Sequence, residues 1–141
     1  MKFKKLTGPP DFELAPYVNQ IVERNKGLDM QIYLGCDSQN KALKTVYATT
    51  IVFHIASTGC HVIYKKEEVP VIRDMWTRLW KETEKSCEVA LYLREYGIEV
   101  STIWLTYGAN SKSGGPVSFL NFIDGLLEIN TFIIYLLEDY A

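Results

Sequence analysis

Apolar and polar positions along this chain change period several times, and each change marks an element. Between Glu13 and Asn25, the residues Leu14, Tyr17, Val18, Ile21 and Val22 recur at helical spacing. Pro16 stands in the first turn and Lys26-Gly27 at the end, so a helix is predicted after the Gly8-Pro9-Pro10 breaker. Three strand-like runs follow, at about Gln31 to Asp37, Val46 to Ala56 and Cys60 to Lys65. Their connections are short, including Ser57-Thr58-Gly59, which predicts an antiparallel meander. Pro70 then opens a long helix over Val71 to Tyr96, closed by Gly97, and Ile98 to Tyr107 reads as a fourth strand. Beyond the loop Gly108 to Gly115, the pattern predicts a helix over Pro116 to Glu128 and a fifth strand over Ile129 to Leu137.

The predicted order after the N-terminal helix is β-β-β-α-β-α-β. That is an α/β chain: a mixed five-stranded sheet with helices packed on it and an extra N-terminal helix. No repeat or linker interrupts it, so residues 1–141 read as one domain, with 1–28 as a helical extension and no room for a closing helix after the fifth strand. A chain of 141 residues that is 48% hydrophobic and 23% charged can bury a core without disulfide or metal staples.

Charge and cysteines narrow the classes. A net charge of -2 supplies no overall basic field, so a nucleic-acid partner would be held by local basic patches or by metal ions. Cys36, Cys60 and Cys87 form no close pair, and neither His54 nor His61 completes a zinc spacing, so all three read as small core residues in a reducing compartment. The basic start runs into Gly8-Pro9-Pro10 instead of an apolar segment, and no stretch is long enough to span a membrane. The expected location is the cytoplasm.

The candidate chemistry begins at Asp37. The run Ile32-Tyr33-Leu34-Gly35-Cys36 ends in this carboxylate, and a buried charge at a strand's exit needs a cation, a donor cluster or solvent. The alternative is a turn former, since Asp-Ser is common turn chemistry. In the long helix, Ile72, Met75, Trp76, Leu79, Ala90 and Leu93 form the expected apolar stripe, with Glu82 on its margin, about 75° from the centre. Glu84 and Glu88 point further round, toward solvent, and Trp76 and Trp80 read as packing residues. Glu82 could instead pair with Arg78, one turn earlier. Carboxylates converging from a strand and a helix hold Mg²⁺ or Mn²⁺ well, because hard cations take oxygen ligands. Two-metal phosphodiester chemistry usually needs more than two acids. The fourth strand offers none after Glu99, and Asp124, Glu138 and Asp139 are the remaining later acids.

The element order is that of a ribonuclease-H-like sheet, and the motifs carry a family resemblance. Gly35-Cys36-Asp37-Ser38-Gln39 resembles the Gly-x-Asp-Ser-Gln signature of the YkuK-like predicted RNase-H-like nucleases of bacteria and phages. The resemblance continues through Thr45 to Thr50, His61 to Tyr64, Val69-Pro70, Arg78 to Glu82 and Glu88 to Leu93, covering roughly residues 30 to 103. Family members look to carry an Asp on the fourth strand and an Asn soon after, where this chain has Trp104, Thr106 and Gly108. The resemblance implies an RNase H fold and metal-dependent phosphodiester hydrolysis. Asp37 then matches the first-strand carboxylate and Glu82 the helix carboxylate, with Glu88 as runner-up metal ligand.

The leading expectation is a Mg²⁺- or Mn²⁺-dependent nuclease acting on RNA, an RNA/DNA hybrid or structured DNA. Asp37 and Glu82 ligate metal, Ser38 and Gln39 orient water or backbone phosphate, and Lys65, Lys66 and the 110–113 loop contact phosphates. A catalytically inactive nucleic-acid-binding or interaction module is the alternative. A small-molecule phosphotransferase is weaker, because Ser113-Gly114-Gly115 is not a phosphate-binding loop.

Overall fold

The computed structural model describes residues 1–105 apart from residue 57. The predicted loop at 108–115, the helix at 116–128, the strand at 129–137 and the acids Asp124, Glu138 and Asp139 lie outside the described residues. Within them the order is β1 (Lys2–Lys5), β2 (Gly8–Glu13), α1 (Leu14–Arg24), β3 (Met30–Lys41), β4 (Lys44–Ile55), β5 (Gly59–Pro70), α2 (Met75–Glu95) and β6 (Thr102–Leu105). These strands form one sheet in the order β2-β1-β5-β4-β3-β6.

The expected meander is there, with longer strands than the pattern implied. β3 pairs antiparallel with β4 from Met30↔Ile55 to Lys41↔Lys44, and β4 pairs with β5 from Lys44↔Pro70 to Ile55↔Gly59. β4 is central, and every residue from Thr45 to Phe53 is buried, as expected of a strand covered on both faces. β6 lies parallel to β3, from Tyr33↔Thr102 to Cys36↔Leu105. Asp37 therefore stands just past the described parallel pairing, at the carboxyl end of β3, where open sheets place their sites.

The N-terminal segment differs from the sequence reading. Gly8-Pro9-Pro10 does not merely break the chain; it starts β2, which folds back on β1 through Phe3↔Phe12 and Lys5↔Gly8. Gly8 adopts φ +96°, a turn conformation natural to glycine. β1 then adds to β5 through Lys4↔Tyr64 and Lys5↔Ile63, so the extension is a hairpin plus a helix. A Pro-rich strand is legible only by its place, since missing N–H donors confine it to an edge.

Strand alternation sorts the sheet into two faces. Ile32, Leu34, Cys36 and Ser38 share one face with Phe53, Ile51, Thr49 and Tyr47 of β4, because directly paired residues point the same way. That face packs against Leu14, Val18 and Ile21 of α1 and Val89 and Leu93 of α2, with Phe3 and Ile63 completing the core.

α2 begins at Met75, four residues later than Pro70 predicted. Residues 71 and 72 are stitched to the sheet instead. The Val71 N–H donates to the Leu43 carbonyl at 3.1 Å, and the Ile72 N–H donates to Thr45 Oγ1 at 2.8 Å. Asp74 supplies the cap by accepting from the Thr77 N–H at 3.0 Å. At the other end the Ile98 and Gly97 N–H groups donate to the Leu93 and Arg94 carbonyls, with Gly97 at φ +78°. That is a Schellman closure, as Gly97 predicted.

The expected apolar stripe of α2 is corrected. Its buried residues are Glu82, Ser86, Val89 and Leu93, while Met75 and Trp76 are 64% and 68% exposed and Trp80 is exposed as well. Ile72 precedes the helix, and the two tryptophans drew the apparent apolar centre away from the line that meets the sheet. No helix of the described residues is long and apolar enough to cross a membrane.

Candidate active site

Asp37, Ser38 and Glu82 form one hydrogen-bonded group. Glu82 is only 3% exposed, at the centre of the face α2 turns to the sheet and not on its margin. Ser38, also buried, donates its hydroxyl to Glu82 Oε2. The Ser38 N–H donates to Asp37 Oδ1 at 2.8 Å. A carboxylate that accepts from the next residue's N–H is drawn along its own strand. In this way two consecutive residues, which alternation would send to opposite faces, both reach the same glutamate. The Asp37 and Glu82 carboxyls approach closely enough to influence each other's protonation. Ionised carboxylates only accept, so this contact needs a shared proton or a cation in its place.

The surroundings are electrostatically consistent. Burial pushes the Asp37 carboxyl above its ordinary range, while the Ser38 N–H, Glu82 and the Arg78 guanidinium pull against it. Tyr47, fully buried opposite Ser38, is pushed up to about 12 by burial and then by the charge of Glu82, so its phenol stays neutral. Its hydroxyl donates to the Arg78 carbonyl at 3.5 Å, and the Lys85 ammonium stands 5.0 Å from its ring centre. Lys85 pairs with Glu67, which also pairs with Lys65 at 3.0 Å. Cys36, beneath the site, is fully buried and its thiol is pushed up by burial; Thr49 Oγ1 lies 3.5 Å from its sulfur. It is the small core residue that the sequence predicted, and stays a thiol; Cys60 and Cys87, expected in the core as well, are exposed.

Three residues near the group in sequence carry a buried polar atom without a hydrogen-bond partner among the described residues: Gln39 Oε1, Arg78 Nε and Ser86 Oγ. Gln39 follows Ser38 directly, and Arg78 and Ser86 lie one turn of α2 on either side of Glu82. Buried polar atoms left unsatisfied mark a place where water, an ion or a ligand completes the structure. Neither Gln39 nor Ser86 could be assigned this environment from spacing alone, because it depends on how α2 sits against β3.

Glu88 is not brought to this group; it is exposed, and six residues from Glu82 it lies about 120° round the helix. Lys65 and Lys66 stand on β5, away from the carboxyl pair, and the 110–113 loop lies outside the described residues.

The donor set fits one hard divalent cation. Two carboxyls and the Ser38 hydroxyl are all oxygen, and Mg²⁺ is typically held by one or two carboxylates while keeping several waters. No group of three or more His, Cys, Asp or Glu residues able to hold a metal occurs among the described residues.

No curated protein and no solved structure matches the chain. A family model does: the Ribonuclease H-like model matches residues 13–111, which takes in β3, β4, β5, α2 and β6 together with Asp37, Ser38 and Glu82. With most of its length matched, this chain belongs to the ribonuclease H-like family.

Proposed function

We propose that the chain is a metal-dependent nuclease that hydrolyses phosphodiester bonds in RNA, an RNA/DNA hybrid or structured DNA. The observation carrying this reading is the buried contact between Asp37 and Glu82 at the carboxyl end of β3. The Gly35-Cys36-Asp37-Ser38-Gln39 element supports a place near the YkuK-like branch of the family.

In this reading Asp37 and Glu82 hold Mg²⁺ or Mn²⁺ through carboxylate oxygens. When bound, the cation activates water and offsets charge building on the phosphate. The protein's own groups supply the rest. Ser38 fixes the rotamer of Glu82 by donating to Oε2. Gln39 offers an acceptor oxygen already buried and waiting for a donor, suited to orienting a water. Arg78 places a guanidinium near Asp37, where it stabilises the ionised carboxyl and any phosphate alongside. The neutral Tyr47 phenol walls the site without adding negative charge.

Cleavage of labelled RNA, hybrid and structured DNA with Mn²⁺ tests the reading. Wild type should cut at least one of them, and Asp37→Asn and Glu82→Gln should each lose the activity by 10²-fold or more, roughly the effect of removing an electrostatic catalytic group. Equal cleavage by wild type and Asp37→Asn overturns it.

The presence of only two acids in the site among the described residues supports a second reading, a nucleic-acid-binding or interaction module that does not cleave. Mn²⁺ titration separates the two. Site-specific binding that Asp37→Asn abolishes belongs to the nuclease, and nucleic-acid binding without it belongs to the module.

A further inference from the structure

From Met75 to Glu88 the only buried residues of α2 are Glu82 and Ser86, both polar, and apolar burial begins at Val89. Met75, Trp76 and Trp80 are exposed. The part of the helix that carries Glu82 is therefore not wedged into the sheet by a buried hydrophobic side chain. Polar contacts hold it instead, and these are directional, so they fix how the helix is turned about its own axis.

Two of these contacts straddle the helix. Ser38 of β3 is in register with Tyr47 of β4, and Tyr47 with Glu67 of β5, so the three form one row on the face that α2 covers. α2 reaches the first member of the row through Glu82, which accepts from the Ser38 hydroxyl. It reaches the last through Lys85, which pairs with Glu67, and the Lys85 ammonium stands 5.0 Å from the centre of the Tyr47 ring. Glu82 and Lys85 are three residues apart and about 60° apart round the helix, while the ends of the row lie two strand spacings apart, about 10 Å. One tether thus holds each side of the axis, and a roll of the helix in either direction strains one of them.

The Glu67 end is itself fixed. Lys65, on the same face of β5, meets Glu67 at 3.0 Å and stands 5.8 Å from the centre of the buried Phe3 ring. Burial pushes the Glu67 carboxyl up, but Lys85 and Lys65 outweigh it and hold that carboxyl below its ordinary range, so the pair is ionised. The Lys85 and Glu67 side chains are 21% and 33% exposed, which shields their attraction from water better than that of Lys44 and Glu68, at 40% and 56% on the sheet's other face. The position they fix is critical. A roll of about 20° carries a carboxyl about 5–6 Å from the helix axis through about 2 Å. Displacements on the order of 1 Å are enough to cost roughly 10²-fold in a site whose groups must converge.

We propose that Lys85 is a positioning residue: through Glu67 it fixes the roll of α2 that keeps Glu82 against Ser38 and beside Asp37, and so sets how tightly the two carboxyls hold a divalent cation. This inference rests on the metal reading of the carboxyl pair. It adds a residue that acts through another side chain, with a partner 18 positions away on a different element.

Calorimetric titration of the full chain with Mn²⁺ tests it, with circular dichroism verifying each fold. K85M and E67Q should each bind at least about 10-fold more weakly than wild type, the usual effect of removing a group that orients a metal ligand. Their shared direction is diagnostic, because charge alone would make K85M bind a cation more tightly and E67Q less. K85M/E67Q should lose no more than K85M, since both break one pair, and K85R should recover most of the loss. E68Q, which breaks the exposed pair on the other face, should bind as wild type does. Hydrogen exchange in EDTA reads the tether without the ion. Amides of residues 79–86 should exchange at least about 10-fold faster in K85M, and those of 90–95, beside the buried Val89 and Leu93, should not change. Unchanged or tighter Mn²⁺ binding by folded K85M overturns the proposal, as do additive losses in K85M/E67Q. If wild type binds no Mn²⁺, or D37N binds it equally well, the metal reading falls. Exchange then still decides the tether, and equal rates in K85M and wild type overturn it.

Discussion

The hydroxyl of Ser38 on β3 donates to Glu82 Oε2 on α2, tying the strand to the helix through a buried polar contact. The same glutamate meets Asp37, the residue before Ser38. The Ser38 side chain is thus a strut for the carboxyl pair. Removing the hydroxyl leaves a buried acceptor without its donor, at a cost of about 1–3 kcal/mol. Ser38→Ala is expected to lower unfolding free energy by that amount in urea and to weaken Mn²⁺ binding. A neutral effect on both would discard the strut.

Asp37 is held above its ordinary pKa chiefly by burial, so its ionised form opposes folding when no cation is present. The sign follows from linkage. A carboxyl whose folded pKa is raised stabilises the fold at low pH and loses that contribution as pH rises through the folded value. Asp37→Asn removes the titration while keeping the shape. At pH 7.5 and in EDTA the variant should melt a few degrees higher, a gain on the order of 1 kcal/mol. Calorimetry with and without Mn²⁺ checks it, since only the wild type should gain stability from the ion. A lower melting temperature for the variant in EDTA contradicts the account.

Tyr17 and His61 join α1 to β5 through a 2.5 Å contact between the phenol oxygen and Nε2. Burial, helped by Lys5, lowers the His61 pKa below 6.5, and burial raises that of Tyr17. The neutral ring therefore accepts from the phenol. As pH falls through 6.5 the unfolded chain takes up the proton before the folded one, so this contribution to stability is lost on the acid side. Melting temperatures between pH 8 and 5 should decline more steeply for wild type than for His61→Gln. Parallel profiles would show that the ring does not act this way.

Trp80 and Leu93 give opposite expectations on the same helix. Trp80 is exposed, with its indole N–H donating to Glu84 Oε1 at 2.6 Å, while Leu93 is fully buried. Trp80→Gln should change stability by less than about 1 kcal/mol, whereas Leu93→Ala should cost about 2–5 kcal/mol. Denaturant titration of the two variants decides it, and equal losses would mean that Trp80 packs.

Much of the frame was legible from local pattern. The meander β3–β4–β5, the helix α1, the closure of α2 at Gly97 and the place of Asp37 beside a parallel strand all follow from periodicity, short turns and element order. These are decided by neighbours in the chain, where hydrophobic alternation and glycine conformations leave few choices. The hairpin β1–β2 was not legible, because Gly8-Pro9-Pro10 has the composition of a breaker and becomes a strand only by pairing with an edge.

The site divides in the same way. Asp37 could be chosen from the sequence because a charge at the end of an apolar strand demands a partner, and Glu82 because helix phase brought it near the packed face. What only the tertiary structure decided is that Glu82 lies at the centre of that face, that Ser38 and Asp37 both reach it, and that Glu88 does not. The helix start at Met75 and the rotation of α2 on the sheet set those contacts. Both depend on Asp74 and on the hydrogen bonds of residues 71 and 72 to the β3–β4 hairpin and β4. Rotation about a helix axis leaves no mark in the spacing of residues, so the chain could name the two carboxyls, and packing alone could join them.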